Sequence, residues 1–107
     1  MKFSYENKGD ILYGIEEFRF RYSGRETATI KVLNLLDDNQ YAYEFEVMEH
    51  YKLPDKIDKY QASFSSANME LHEELNIKHQ PVFNTKQEAL QHAIDSLNAI
   101  MKLCRNK

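Results

Sequence analysis

One cysteine, two prolines, three glycines and no tryptophan occur in the 107 residues. A lone thiol, Cys104, excludes an internal disulfide, and sparing use of cysteine fits a reducing compartment, so a cytoplasmic location is expected. No apolar run approaches the roughly 18 residues that a membrane span requires. The opening Met1-Lys2-Phe3-Ser4-Tyr5-Glu6 carries no apolar stretch of the kind found in secretion signals. The expectation is a protein that makes no membrane contact. Repeats, low-complexity tracts and linker-like stretches are absent as well, which favours a single domain spanning 1–107. A basic excess is also missing. Fourteen Lys and Arg face seventeen Asp and Glu, for a net charge of −3 with His neutral. That is the wrong sign for a general binder of phosphate backbones, although a local basic cluster stays open.

What is present argues for a folded chain. The hydrophobic fraction is 42%, with seven Tyr and six Phe, residue types that suit half-buried sheet faces. Phe3 and Tyr5 alternate with polar neighbours before the turn signal Asn7-Lys8-Gly9-Asp10, which suggests a short edge strand. Residues 11–14 read either as a helical turn capped by Asp10 or as the run into the next strand.

Period two then becomes strict. Phe18, Phe20 and Tyr22 oppose Arg19 and Arg21. After Ser23-Gly24-Arg25, Ala28, Ile30 and Val32 oppose Thr29 and Lys31. After Asp37-Asp38-Asn39-Gln40, Tyr41, Tyr43, Phe45 and Val47 oppose Ala42, Glu44, Glu46 and Met48. A slip of one residue would send an apolar set to the wrong face. Keeping the sets together gives a meander with Tyr22 opposite Ala28, Phe20 opposite Ile30, Phe18 opposite Val32, Val32 opposite Phe45 and Ile30 opposite Val47. On the other face this aligns Arg19, Lys31 and Glu46, with Lys31 and Glu46 as a favourable pair of about 0.2–1 kcal/mol and Arg19 beside Lys31 as a local repulsion.

Past Leu53-Pro54-Asp55 the pattern is mixed. Ile57, Tyr60, Phe64, Ala67, Leu71 and Leu75 follow helical spacing, yet Tyr60, Ala62 and Phe64 alternate and Ser63-Phe64-Ser65-Ser66 is poor helix material. Propensity favours a fourth meander strand over 59–66, then an acidic loop over 68–80 with one helical turn near 69–75. The last segment is the clearest. Thr85-Lys86-Gln87-Glu88 fits a capping box. Ala89, Leu90, Ala93, Ile94, Leu97, Ile100, Met101 and Cys104 form one stripe. The fold class expected is α+β, a three- to four-stranded antiparallel meander with one C-terminal helix packed across the Phe18, Phe20, Ile30, Val32, Phe45 and Val47 face.

No side-chain set reads as an active site, and neither a catalytic residue, a metal nor a cofactor is expected. His72-Glu73-Glu74 with His79 lacks the spacing by which two His on successive helical turns share a metal; a solvated acidic loop is the simpler reading. Cys104 sits on the apolar stripe, without the electropositive setting a reactive thiol needs. His92 borders that stripe. Glu44, Glu46 and Glu49 share a strand region, but an open sheet face offers no cleft for paired carboxylates to work across.

Two surfaces remain. Leu33, Leu35 and Met48 lie on the sheet face away from the helix, where apolar residues imply a second layer, a homodimer or a partner protein. With the acidic Glu44 and Glu46, and Glu73 and Glu74 farther on, they suggest a non-enzymatic protein-binding module that meets a basic partner. Inhibitors, immunity proteins and anti-defence accessory proteins of phages or other mobile elements are of this kind. The alternative is a nucleic-acid-binding regulator that uses Arg19, Arg21, Arg25 and Lys31.

Overall fold

The alternating segments become strands because each has one apolar and one charged side to place. A computed structural model describes residues 3–9, 11–36, 39–49 and 51–105. Among them β1 (Phe3–Lys8), β2 (Ile11–Tyr22), β3 (Arg25–Leu35) and β4 (Gln40–Val47) form an antiparallel sheet in the order β1-β2-β3-β4. Residues 11–14 belong to β2, and β1 is the edge strand expected at the start of the chain. Helices α1 (Asp55–Asp58), α2 (Met69–Leu75) and α3 (Lys86–Arg105) follow. The fold is α+β, an open four-stranded sheet with the C-terminal helix against it.

The facing sides of the meander are as the alternation requires, but the register differs by two residues. Phe20 pairs with Ala28 and Phe18 with Ile30; Ile30 pairs with Phe45 and Val32 with Tyr43. The cause lies in the first β2–β3 turn. Ser23 (φ 54°) and Gly24 (φ 80°) make a two-residue turn with both φ positive, so that Tyr22 pairs with Arg25. Such a turn matches the twist of the flanking strands. Continued unbroken, it would put β3 out of phase with β2. The register shifts between Phe20 and Arg21, which leaves Thr27 as the extra residue of a bulge. Thr27 is fully buried, and its hydroxyl donates to Arg25 O at 2.9 Å and lies 3.0 Å from the Tyr51 hydroxyl.

This register also rearranges the charges. Lys31 lies between Glu17 and Glu44, not beside Arg19 and Glu46. Arg19 pairs with Thr29 and meets Glu26 at 3.8 Å, so the expected Arg19–Lys31 repulsion does not arise.

No strand forms over 59–66. Pro54 accepts from the amides of Ile57 and Asp58, and a 3-10 turn follows at Gln61–Ser63. These turns bring Ile57 and Phe64 into the core. Only one bridge, Glu44 with Ser65, survives of the expected pairing, fixed by Phe45 N–H to Phe64 O and Ser66 N–H to Tyr43 O, both 2.9 Å. A second, Tyr41 with Phe83, covers the same edge of β4.

The helical turn expected near 69–75 is a true helix. Asn68 caps it by accepting from the Leu71 amide at 3.0 Å. Asn76, in the left-handed region at φ 58°, ends it, with its own amide to Glu73 O and the Ile77 amide to His72 O. The expected solvated loop is thus corrected: Leu71, His72 and Leu75 are buried, whereas Glu73 and Glu74 stay exposed.

At the start of α3, Glu88 N–H donates to Thr85 Oγ1 at 3.1 Å, the first half of a capping box, and that hydroxyl donates to Glu88 at 3.0 Å. Lys86 Nζ holds Glu16 of β2 at 3.2 Å. Ala89, Ala93, Leu97, Ile100 and Met101 are buried against Phe20, Ala28, Ile30, Val32, Tyr43 and Phe45. The two alanines permit close approach, while each large side chain contributes about 1.5–3 kcal/mol by leaving water. Cys104 is half-buried at the border of this core. No helix among the described residues is long and apolar enough to cross a membrane.

The Glu17–Lys31–Glu44 row generates a test. Lys31→Glu places three carboxylates side by side, and like charges directly opposite destabilise by up to about 1 kcal/mol. Urea denaturation at low salt should show a loss of that order, shrinking as salt screens the row.

Candidate functional site

All three helices and the segment between α2 and α3 feed one core on one side of the sheet. Among the described residues no layer lies over the other side. That outer face is built from the alternate positions of each strand. At one end, Tyr13 pairs with Leu35, and Ile15, Leu33 and Ala42 form the next row. Tyr13 and Ile15 are buried, Leu33 and Leu35 are half-buried, and Tyr13 donates to Glu6 at 3.1 Å. Farther along come Glu17–Lys31–Glu44 and then Arg19–Thr29–Glu46. Glu44, Glu46 and Glu49 are exposed, and so is Met48 at 39%.

Where β4 meets the 61–65 segment, the face dips into a groove of about 500 Å³. Glu44, Glu46, Glu49 and Lys31 contribute to its walls, and it borders Phe45 and Phe64, whose stacked rings, 5.0 Å apart, belong to the core. Size places it within the range of small ligand sites. Three of its charged residues are carboxylates, Glu44, Glu46 and Glu49, and the fourth is Lys31.

The remaining predicted surface residues are spread out. Glu73 and Glu74 project from α2, in the helical layer on the opposite side of the sheet from Glu44 and Glu46. Arg19, Arg21 and Arg25 stand exposed around the β2–β3 turn. Lys31 is separated from them and flanked by acids in the register. The four basic residues therefore do not make one continuous patch.

A polar cluster that the sequence reading missed sits inside the core. The hydroxyl of Tyr43, a residue only 1% exposed, lies 2.8 Å from His72 Nε2, 2.7 Å from His92 Nδ1 and 3.3 Å from Ser96 Oγ. The far ring nitrogens are also held. His72 Nδ1 donates to Asn68 O and His92 Nε2 donates to Lys78 O, both at 2.8 Å. His79 completes the group, its ring 5.8 Å from that of His72 and its Nε2 buried without a partner among the described residues. Each element supplies its member for a local reason. Tyr43 occupies an inward position of β4; His72 shares the inner face of α2 with Leu71 and Leu75; His92 and Ser96 are one turn apart on α3. The spacing of His92 and Ser96 was visible in the sequence, but their partner Tyr43 lies 49 and 53 positions away.

Burial drives the titration of this cluster. It pushes the Tyr43 hydroxyl far above the usual tyrosine range, keeping it protonated. It also pushes the His72 imidazole below the usual histidine value, against the opposing pull of the Asn68 carbonyl. Among the described residues no group of three or more His, Cys, Asp and Glu has the arrangement to hold a metal ion. The near nitrogens of His72 and His92 are turned toward Tyr43 instead.

Because folded His72 resists a proton that the unfolded chain accepts near pH 6.5, roughly the ordinary histidine value, the unfolded state binds more protons below that point. Stability should accordingly fall as pH drops from about 6.5, and His72→Gln should remove part of this slope. Denaturant midpoints of both proteins across the acid range measure it.

Comparison with known protein families, with curated proteins and with solved structures gives no match to this chain.

Proposed function

We propose that this protein is a non-enzymatic protein-interaction module whose outer sheet face docks a partner with a basic surface. The observation that carries this reading is the asymmetry of the sheet. One face is sealed by the helices, and the other bears half-buried Leu33 and Leu35 and exposed Met48 beside exposed Glu44, Glu46 and Glu49. Apolar residues with a charged border are the usual composition of a docking surface, the apolar part giving contact area and the charge giving partner choice and encounter rate. The groove next to β4 extends the same face and has room for a long basic side chain beside Glu44, Glu46 and Glu49. Among the described residues the outer face places no nucleophile beside a base, which favours binding over catalysis there. An inhibitor or immunity role, as in the small accessory proteins of mobile elements, fits such a surface. Glu73 and Glu74 lie on the far side and do not take part. The nucleic-acid reading is less supported, since Lys31 is flanked by Glu17 and Glu44.

The test uses association kinetics with a partner captured from the source cells. Glu44→Lys/Glu46→Lys should slow association at low salt by about tenfold or more, with the difference shrinking at high salt. Arg19→Ala/Arg21→Ala should leave the rate nearly unchanged. Equal rates for the charge-reversed and unaltered proteins contradict the proposal, as does a salt-dependent gel shift with RNA or DNA that Arg19→Ala/Arg21→Ala abolishes.

A further inference from the structure

Four short contacts run through the Tyr43 cluster, and each requires a hydrogen: Asn68 O to His72 Nδ1, His72 Nε2 to Tyr43 Oη, Tyr43 Oη to His92 Nδ1, and His92 Nε2 to Lys78 O. Two of the four end on backbone carbonyls, which only accept. They fix the single hydrogen of a neutral His72 on Nδ1 and that of a neutral His92 on Nε2. Both near nitrogens are then acceptors, and the phenol between them has one hydrogen for two contacts. Any other choice of tautomers moves the shortfall to a carbonyl without removing it. Ser96 does not fill it, because its hydroxyl donates to His92 O at 2.9 Å and lies farther, at 3.3 Å, from Tyr43. Neutral groups therefore supply three hydrogens for four contacts, leaving two lone pairs facing each other at 2.7–2.8 Å in a buried site. Such a site is where an unmade hydrogen bond is most costly. One added proton completes the chain: Tyr43 donates to one imidazole and accepts from the other.

We propose that the folded chain holds one surplus proton in the Tyr43–His72–His92 cluster, and that this proton acts as a pH-sensitive latch fastening α2 and the 76–83 segment to β4 and α3.

The surroundings fit this assignment from every side. On β4 the buried Tyr43 keeps its own hydrogen, so the hydroxyl stays a hydroxyl. On α2, burial of His72 works against a charge on that ring alone, and the half-buried His92 ring shares the same phenol. On α3, Asp95 acts electrostatically on Tyr43 and supplies a nearby negative charge. From the 76–83 segment, His79 adjoins His72 and opposes a second proton, and the Phe83 ring packs 5.2 Å from that of His92. The imidazoles and the phenol titrate as one unit.

The sign of the pH effect follows. Above about pH 6.5 the unfolded histidines are neutral while the folded cluster retains its proton, so the folded state binds more protons. The latch is then fully present at and below that point and is lost as pH rises through the cluster's own titration. With the resistance of His72 on the acid side, stability peaks near the ordinary histidine value and declines in both directions. Opening the latch also loosens the groove wall at 61–65, because Ser66 is gripped by the Tyr43 backbone through Ser66 N–H to Tyr43 O and Tyr43 N–H to Ser66 Oγ, 2.9 and 3.2 Å.

Nitrogen-15 NMR of the histidine rings in the full chain decides it, recorded at about pH 7.5, roughly one unit above the free histidine value. Three of the four ring nitrogens of His72 and His92 should carry hydrogen in the unaltered protein. Two of four should do so in Tyr43→Phe, where the two phenol contacts no longer exist. Two or four in the folded unaltered protein, or three retained in folded Tyr43→Phe, overturns the proposal. The count in the unaltered chain decides alone if the variant does not fold.

Discussion

The polar connections between the sheet, α2 and α3 converge on Tyr43. Its backbone forms part of the β3–β4 ladder and bonds Ser66 at the free edge of β4. Its ring contacts those of Phe45, Phe83, His72 and His92. Its hydroxyl ties α2 to α3. An apolar side chain at this position would fill the space without specifying which helix faces which. The hydroxyl has directional demands, and only one placement of His72, His92 and Ser96 meets them. A satisfied buried polar network selects one packing among several that burial alone would allow.

That fixed inner side is what frees the outer one. Once the helices, Phe64 and Phe83 are committed to the core, the opposite face is left with alternating apolar and charged rows. The charges are ordered by the register: the bulge at Thr27 and the tight Ser23–Gly24 turn move Lys31 between Glu17 and Glu44. The one cation on the middle of the face is thereby flanked by acids, while Glu46 and Glu49 add exposed carboxylates beyond it. Shape and charge of the proposed docking surface thus trace back to a two-residue turn some distance away.

Period-two alternation made β2, β3 and β4 legible, and the Thr85–Glu88 capping box with its apolar stripe made α3 legible, because in each case one residue's neighbours in the chain are also its neighbours on a face. The outer position of Leu33, Leu35, Glu44, Glu46 and Met48 followed from the same alternation. The exact pairing did not, since a bulge at Thr27 leaves no mark in hydrophobic periodicity. Residues 59–66 misled because their serines argue against helix without arguing for a ladder, and short turns anchored by Pro54 satisfied both. Asn68 is a favoured N-cap residue, but Leu71, not an acid or amide, stands where the second half of a capping box would be, so the start of α2 is only weakly marked in the sequence. The Tyr43 cluster was invisible for a different reason. Its members come from β4, α2, the 76–83 segment and α3, and no local pattern links a tyrosine to histidines 29 and 49 positions away.

The central claim is that the hydroxyl of Tyr43 holds residues 66–77 as one unit against the sheet. Native-state amide hydrogen exchange tests it most directly, comparing the unaltered chain with Tyr43→Phe. The amides of Ser66, His72 and Ile77, which donate to Tyr43 O, Asn68 O and His72 O, should lose protection together, by about 1–3 kcal/mol. Those of Phe18 and Ile30 in the β2–β3 ladder should keep theirs. Unchanged protection across 66–77, or an equal loss throughout the chain, would contradict the account.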